Sequence, residues 1–356
     1  MTLFSLRPTL LAGAVAAVMF SGTAGAADRL YVFNWTDYMD PAIIEAFEKK
    51  YDVEVVQNYY GSLGEMFSKL QAGGVSQYDI VVPSNYFVPR MIEAGLLQPL
   101  DKSQLPNMSN LMTRFVNPPY DPDNQYTAAY LWGSTGLIIN TETFPEAKPS
   151  WSMLFDASTN SDQPFSMLKD GQVMFGAACA FLGKPYNCTA QQDMVDAAKL
   201  MLKTKHRANF TGFTDSTPVL GQVSRGVNAL GVTYNGDYLQ YREDDPEGYA
   251  NTEFMIPEEG SELWVDSMAI PARAPHPELA HKFINFILDA QVGAQLSNYT
   301  FYSTPNQAAV EHLDEVLKQP PSLPDDEDMA RLKFTPTLSG QDLQRYQQLW
   351  NEVQSR

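Results

Sequence analysis

The chain is poor in the residues from which most catalytic and metal sites are built. Its 356 residues include two cysteines and four histidines, His206, His276, His281 and His312. No histidine stands in an H-E-x-x-H pattern, and there is no G-x-S-x-G elbow, no P-loop and no G-x-G-x-x-G. Those absences remove the local signatures of zinc proteases, serine hydrolases and nucleotide-binding enzymes. Two cysteines with no histidine nearby do not make a zinc ligand set. A glycosidase needs only a pair of carboxylates, which leaves no local motif, and aromatics can stack on sugars. Beyond that opening, the residues point away from an enzyme and imply no metal and no cofactor. Basic residues are scarce as well: 24 Lys and Arg stand against 42 Asp and Glu, a net charge of −18. Such a chain is ill suited to nucleic acid or anionic lipid; the acidity fits the attraction of cations, but by itself it is accounted for more simply as keeping the protein soluble.

Long apolar runs are missing too. The longest, Leu10 to Phe20, is too short to span a bilayer comfortably. It follows Arg7 and precedes small residues ending Ala24-Gly25-Ala26, the pattern of a secretory signal peptide over residues 1–26. No cysteine lies near that site, so no N-terminal lipid anchor is expected. The expectation is a soluble protein exported to the periplasm. About 330 residues remain after cleavage, enough for two domains. In an oxidising compartment Cys179 and Cys188 could pair, and their spacing fits a helix end folding back on its following loop. Sequence spacing leaves the bonded and the free state both open.

Strand and helix patterns alternate. Leu30 to Phe33 and Val53 to Val56 read as strands, and Asp40-Pro41 as the start of a helix with Ile43, Ile44 and Phe47 inward. Ser62 to Glu65 is a capping box, and Tyr78 to Val82 a further strand. This order predicts an α/β fold with a mostly parallel sheet. Leu137 to Asn140 reads as a strand leaving the first domain. Met167-Leu168, Phe181-Leu182, a helix from Gln191 to Lys203 and Val227 to Tyr234 suggest a second α/β unit. Trp264 to Pro271 is again a strand, followed by helices from Glu278 to Asp289 and from about Ser339. The acidic, proline-rich stretch from Gln319 to Asp328 reads as a surface loop.

Aromatics interleaved with carboxylates and small hydroxyls recur at the strand ends, where ligands of open α/β sheets bind. Trp35, Thr36, Asp37 and Tyr38 form one group, and Ser84 and Tyr86 a second. Tyr234 with Asp237 forms a third, and Trp264 with Asp266 a fourth. An aromatic face attracts a cation by roughly 0.5–2 kcal/mol, and a carboxylate gives an ammonium a charge-assisted hydrogen bond. Any one group would fit core packing equally well. Four of the same kind fit a site for an alkyl ammonium ligand better.

These residues lie in the blocks FNWTDY, YDIVVPSNYFV, YLWGSTGLIIN, WVDSMAIP and YSTPNQAA. Over nearly the whole mature chain the sequence resembles the periplasmic polyamine-binding proteins of the spermidine and putrescine type that serve ABC transporters. The resemblance implies a two-lobed, type II-like binding-protein fold with the ligand cleft between the lobes. It implies discontinuous lobes, residues 27–133 with 266–310 and residues 134–265 with 311–356. It implies that Trp35 and Tyr86 sandwich the amine with Tyr234 and Trp264, and that Thr36, Asp37 and Ser84 bind from one lobe. Asp266 takes an ammonium, Tyr302 stands at the cleft near the hinge, and Ser216 and Gln341 are further polar contacts. The partner it implies is the membrane permease of an ABC importer, served by a monomeric receptor that binds no nucleic acid.

The chain departs from the pattern at one acid. The family's second lobe usually carries two acids three apart before a helix; here Asp170 matches the first and Val173 replaces the second. Tyr234 stands where tryptophan is common. Asp37 and Asp237 match the putrescine type, so Asp37, Asp237 and Asp266 suffice for a diamine, with fewer acids for a triamine. An alternative ligand on the same scaffold is GABA, whose carboxylate would need a cation such as Arg90 or Arg225. Another alternative keeps the amine and presents it to a membrane sensor.

Overall fold

The structure is a computed structural model that describes residues 28–355. The expected signal peptide, residues 1–26, lies outside the described residues. The strands are β1 (Asp28–Trp35), β2 (Val53–Tyr60), β3 (Ile80–Val81), β4 (Thr127–Asn140), β5 (Phe165–Leu168), β6 (Phe210–Thr214), β7 (Leu230–Tyr234), β8 (Thr252–Met255), β9 (Ser261–Ala269) and β10 (Leu332–Phe334). Their order is β2-β1-β3-β9-β4-β7-β5-β6, with β10 beside β9 and β8 beside β4. Pairing is parallel at each end, in β2-β1-β3 and in β7-β5-β6. The middle, where β9 and β4 run side by side, is antiparallel.

The central strand changes core along its length. Ala128 to Trp132 of β4 pack with Leu30, Ile43, Phe47 and Phe283. Leu137 and Ile139, further along the same strand, pack with Phe165, Met174 and Leu230. Every residue of β4 is buried, as expected for a strand covered on both faces.

Local rules account for the helices that flank the site. Asp40 accepts a bond from the Ala42 N–H at 2.8 Å with Pro41 in the first turn, and Ile43, Ile44 and Phe47 are buried as their spacing predicts. Ser62 caps Glu65 at 3.2 Å; Glu65 reaches back to Gly61 rather than to Ser62, so the box is one residue wider than expected. Asp170 caps the helix Gly171–Phe181, accepting from the N–H groups of Gln172 and Val173. Phe181 is therefore the last residue of a buried helix and forms no part of a strand; the helix is apolar nearly all round, so periodicity gives it no face.

Two further differences arise near the C-terminus. A helix, Ala290–Thr300, follows the expected one (Pro277–Ile287), capped by Asp289 and stopped at Phe301, which has φ +60°. The stretch expected as a surface loop, residues 319–328, runs into the helix Asp326–Arg331 and buries Ser322.

Candidate functional site

A cleft of about 1370 Å³ opens where the carboxyl end of β1 and the segment after β3 face the carboxyl end of β7, the start of the helix Gly171–Phe181 and the C-terminal helix Gly340–Ser355. Strand β9 runs along it. Trp35, Thr36, Asp37, Tyr38, Ser84, Tyr86, Asp170, Ser216, Tyr234, Asp237, Trp264, Asp266 and Tyr302 all line it. Gln341 does not: it is exposed on the first turn of the C-terminal helix, and Leu343, Tyr346 and Trp350 line the cleft from that helix. Of the two arginines considered for an anion, Arg90 lines the cleft, with its guanidinium 4.4 Å from the Phe87 ring centre and 5.1 Å from that of Phe67. Arg225 stands at the end of the helix Ser216–Ser224, away from the lining.

The aromatic walls are fixed from behind. The Trp35 indole donates to the Val82 carbonyl at 3.1 Å, the same oxygen that accepts from the Tyr60 hydroxyl, and the two rings lie 4.6 Å apart. Across the cleft, the rings of Tyr234 and Tyr302 meet Trp264 edge-on at 6.0 and 5.0 Å. Two glycines make room for this packing. A Cβ on Gly133 would collide with the Trp264 ring, and one on Gly236 with the Tyr302 ring. Ser216 bonds Thr233 Oγ1 at 2.8 Å and accepts from the Tyr234 N–H at 3.1 Å, so it holds the end of β7 in place.

The acids are held among these rings. The Ser84 hydroxyl donates to Asp266 Oδ1 at 2.5 Å. Asp266 is buried, and burial pushes its carboxyl up to about 6 despite the opposing bond from Ser84. Tyr38 lies beside it, stabilising the carboxylate, although its hydroxyl forms no well-aligned hydrogen bond. The Tyr302 hydroxyl donates to Asp237 Oδ1 at 2.5 Å, and burial raises Asp237 as well. Asp170 is likewise raised by burial, against the two N–H groups it caps. Asp37 sits at the rim, exposed and in a left-handed turn with φ +54°.

One acid was not among the expected site residues. Glu262 lines the cleft and is 3% exposed. Its carboxylate accepts from Thr135 Oγ1 at 2.7 Å and from Thr335 Oγ1. Burial, then the charge of Asp170, pushes it up to about 7. The signal was present in the sequence: Glu262, Trp264 and Asp266 alternate, and side chains two apart share a strand face. Among the described residues, no lysine or arginine forms an ion pair with Asp170, Asp237, Glu262 or Asp266.

Away from the cleft, Cys179 and Cys188 are joined by a disulfide between the helix Gly171–Phe181 and the loop after it.

Two parallel half-sheets, a central antiparallel crossover and an acidic, aromatic cleft define a solute receptor of the two-lobed periplasmic binding-protein class. The chain belongs to the bacterial extracellular solute-binding protein family, which matches residues 42–325. It is 35% identical over 306 residues to the spermidine/putrescine-binding periplasmic protein of Salmonella typhimurium, covering 85% of each chain. It is 31% identical to the putrescine/cadaverine-binding protein of Pseudomonas aeruginosa, covering 99% of this chain and 98% of that one. Among solved structures, the spermidine/putrescine ABC transporter substrate-binding protein PotD of Streptococcus pneumoniae superposes with a TM-score of 0.81 at 28% identity, covering 92% of this chain and 98% of that one.

Proposed function

We propose that this chain is an exported receptor that takes an alkyl polyamine, putrescine or spermidine, into its cleft and delivers it to the permease of an ABC importer. The observation that carries this reading is the set of cleft carboxylates, Asp170, Asp237, Glu262 and Asp266, held among aromatic rings with no lysine or arginine among the described residues ion-paired to them. Ionised carboxylates out of water are costly without a partner. A ligand with several ammonium groups supplies those partners, and its methylenes pack on the rings of Trp35, Tyr86, Tyr234 and Trp264. Thr36, Asp37 and Ser84 contribute from one wall, and Ser216 supports Tyr234.

The lobes are residues 27–133 with 266–310 and residues 134–265 with 311–356, and the change of core along β4 between Trp132 and Leu137 supports the first boundary. They close on the ligand, exclude water and so strengthen each charge interaction. Closure follows from tighter binding to the closed form, and the receptor acts by binding and release without chemistry. It works as a monomer in the periplasm once residues 1–26 are removed. The relatives' names, which specify spermidine, putrescine and cadaverine, support the ligand class. A zwitterion such as GABA would put its carboxylate in a cleft already crowded with acids, where the Arg90 guanidinium lies against two rings.

The test is calorimetric titration of the refolded, ligand-stripped mature protein with putrescine, spermidine and GABA. Saturable binding of either polyamine is expected. Heat with GABA alone, or with none of the three, sinks the proposal.

A further inference from the structure

We propose that Glu262, together with Asp170, forms a second ammonium station in the cleft, and that this station selects an amine with three or more charges over a diamine. This rests on the polyamine reading of the cleft.

Strand alternation places Glu262, Trp264 and Asp266 on one face of β9, and all three line the cleft. Four residues of strand separate the two acids by about 13 Å. The Trp264 ring lies between them. Asp237, through Tyr302 and its contact with Trp264, and the Tyr38 hydroxyl beside Asp266 belong to the Asp266 end. Asp170 belongs to the other end: the helix it caps packs against β9, and Gln172 of that helix donates to the Pro336 carbonyl, next to the Thr335 that donates to Glu262. The charge of Asp170 acts on Glu262 there.

Two threonine hydroxyls, from β4 and from the segment after β10, fix the Glu262 carboxylate plane. Neither neutralises it. The other titratable groups acting on or near the pair are Asp266, Tyr86, Tyr186, Tyr234 and Tyr346, none of them a cation. Two cations line the same cleft: Lys169, the residue before Asp170, and Arg90, whose guanidinium lies against Phe67 and Phe87; among the described residues neither forms an ion pair with Asp170 or Glu262. Asp170 and Glu262 therefore stand at the same end of the cleft as two like charges from different elements. An ammonium between them removes the repulsion and takes bonds from both.

This arrangement makes good the acid lost at position 173. Val173 is buried in the core, so the helix offers one carboxylate there and β9 offers the second. By ordinary bond lengths a four-carbon diamine spans about 6 Å between nitrogens and a triamine of three plus four carbons about 11 Å. The diamine reaches one station and leaves the other unfilled. The triamine reaches both, with its chain over Trp264.

The experiment is titration of ligand-stripped wild-type protein and Glu262→Gln with putrescine and spermidine, with circular dichroism and melting curves to check folding. We expect wild type to bind spermidine at least tenfold more tightly than putrescine. Glu262→Gln is expected to lose at least thirtyfold for spermidine and to lower the preference for spermidine over putrescine at least tenfold. Equal losses for both amines, or no loss for either, overturn the station while leaving polyamine binding intact. No binding of either amine by wild type overturns both readings.

A second readout holds even if the variant does not fold. Near pH 7 a Glu262 that is part-protonated when empty must shed its proton to pair with an ammonium. Titration of wild type in two buffers of different ionisation heat should show roughly half a proton released per spermidine and almost none per putrescine. Spermidine binding with no proton release overturns the proposal.

Discussion

Ser84 and Asp266 stand 182 residues apart in the chain, and the hydroxyl of one donates to the carboxylate of the other at 2.5 Å. Their backbones also bridge in antiparallel fashion, which pins the segment after β3 against β9. That pin places Tyr86, two residues further on, along the same cleft as Trp264. A carboxylate has about four acceptor positions, so the bond from Ser84 leaves Asp266 able to take an ammonium.

Asp266→Asn should therefore weaken amine binding severely with the fold intact. Removing one partner of a buried charge pair costs about 3 kcal/mol, or roughly a hundredfold in affinity. The empty protein loses a buried charge and should melt no lower than wild type. Calorimetry with putrescine checks the first part, and unchanged affinity would remove Asp266 from the site.

Stability of the empty protein should fall as pH rises. Asp266 and Glu262 hold their protons in the folded state up to about 6 and about 7, above the ordinary values of 3.8 and 4.5. Between about pH 4 and 7 the folded state therefore binds more protons than the unfolded chain. The stability from these two groups is fully present below the unfolded values and is lost as pH rises through the folded ones. Amine binding needs the ionised forms and should tighten over the same range. The difference in unfolding free energy between wild type and the Asp266→Asn/Glu262→Gln double variant, measured near pH 5 and pH 7.5, should decrease with pH. A flat difference contradicts the assignment.

Gly133→Ala should damage the site from behind. The new methyl has no room beside the Trp264 ring, which must move. Overpacking of this kind costs about 1–3 kcal/mol. Lower denaturant midpoints, a shift in tryptophan emission and weaker amine binding are expected together. A variant with wild-type stability and affinity would show that Trp264 neither packs nor binds as described.

Replacing both Cys179 and Cys188 by alanine should lower stability without touching the ligand. The disulfide closes a loop with a sequence separation of 9, for which chain entropy gives about 2–3 kcal/mol. It sits at the far end of the helix whose first turn borders the cleft. Denaturant unfolding should record the loss, and calorimetry should find affinity within threefold of wild type. A tenfold loss of affinity would mean that the helix start moves with its end.

Much of this protein is decided locally and can be read in its sequence. The α/β order, the caps at Asp40 and Ser62, and the buried face of Ile43, Ile44 and Phe47 follow from short-range spacing and backbone bonding. The aromatic and acidic groups at strand ends are equally visible, because a strand's end is marked by the residues that follow it. Other features escaped for physical reasons. The helix Gly171–Phe181 is apolar on all sides, so its spacing carries no period. Gln341 has the right chemistry, but the turn of its helix aims Leu343 and Tyr346 at the cleft instead. Which acids share a station was decided by tertiary structure alone. Asp170 and Glu262 come from elements 92 residues apart, and only the long-range pairing of the central strands sets their distance, burial and mutual repulsion. The sequence determined that carboxylates and aromatic rings would meet at strand ends; the packing of two half-sheets around β4 and β9 decided which charges stand at the same end of the cleft.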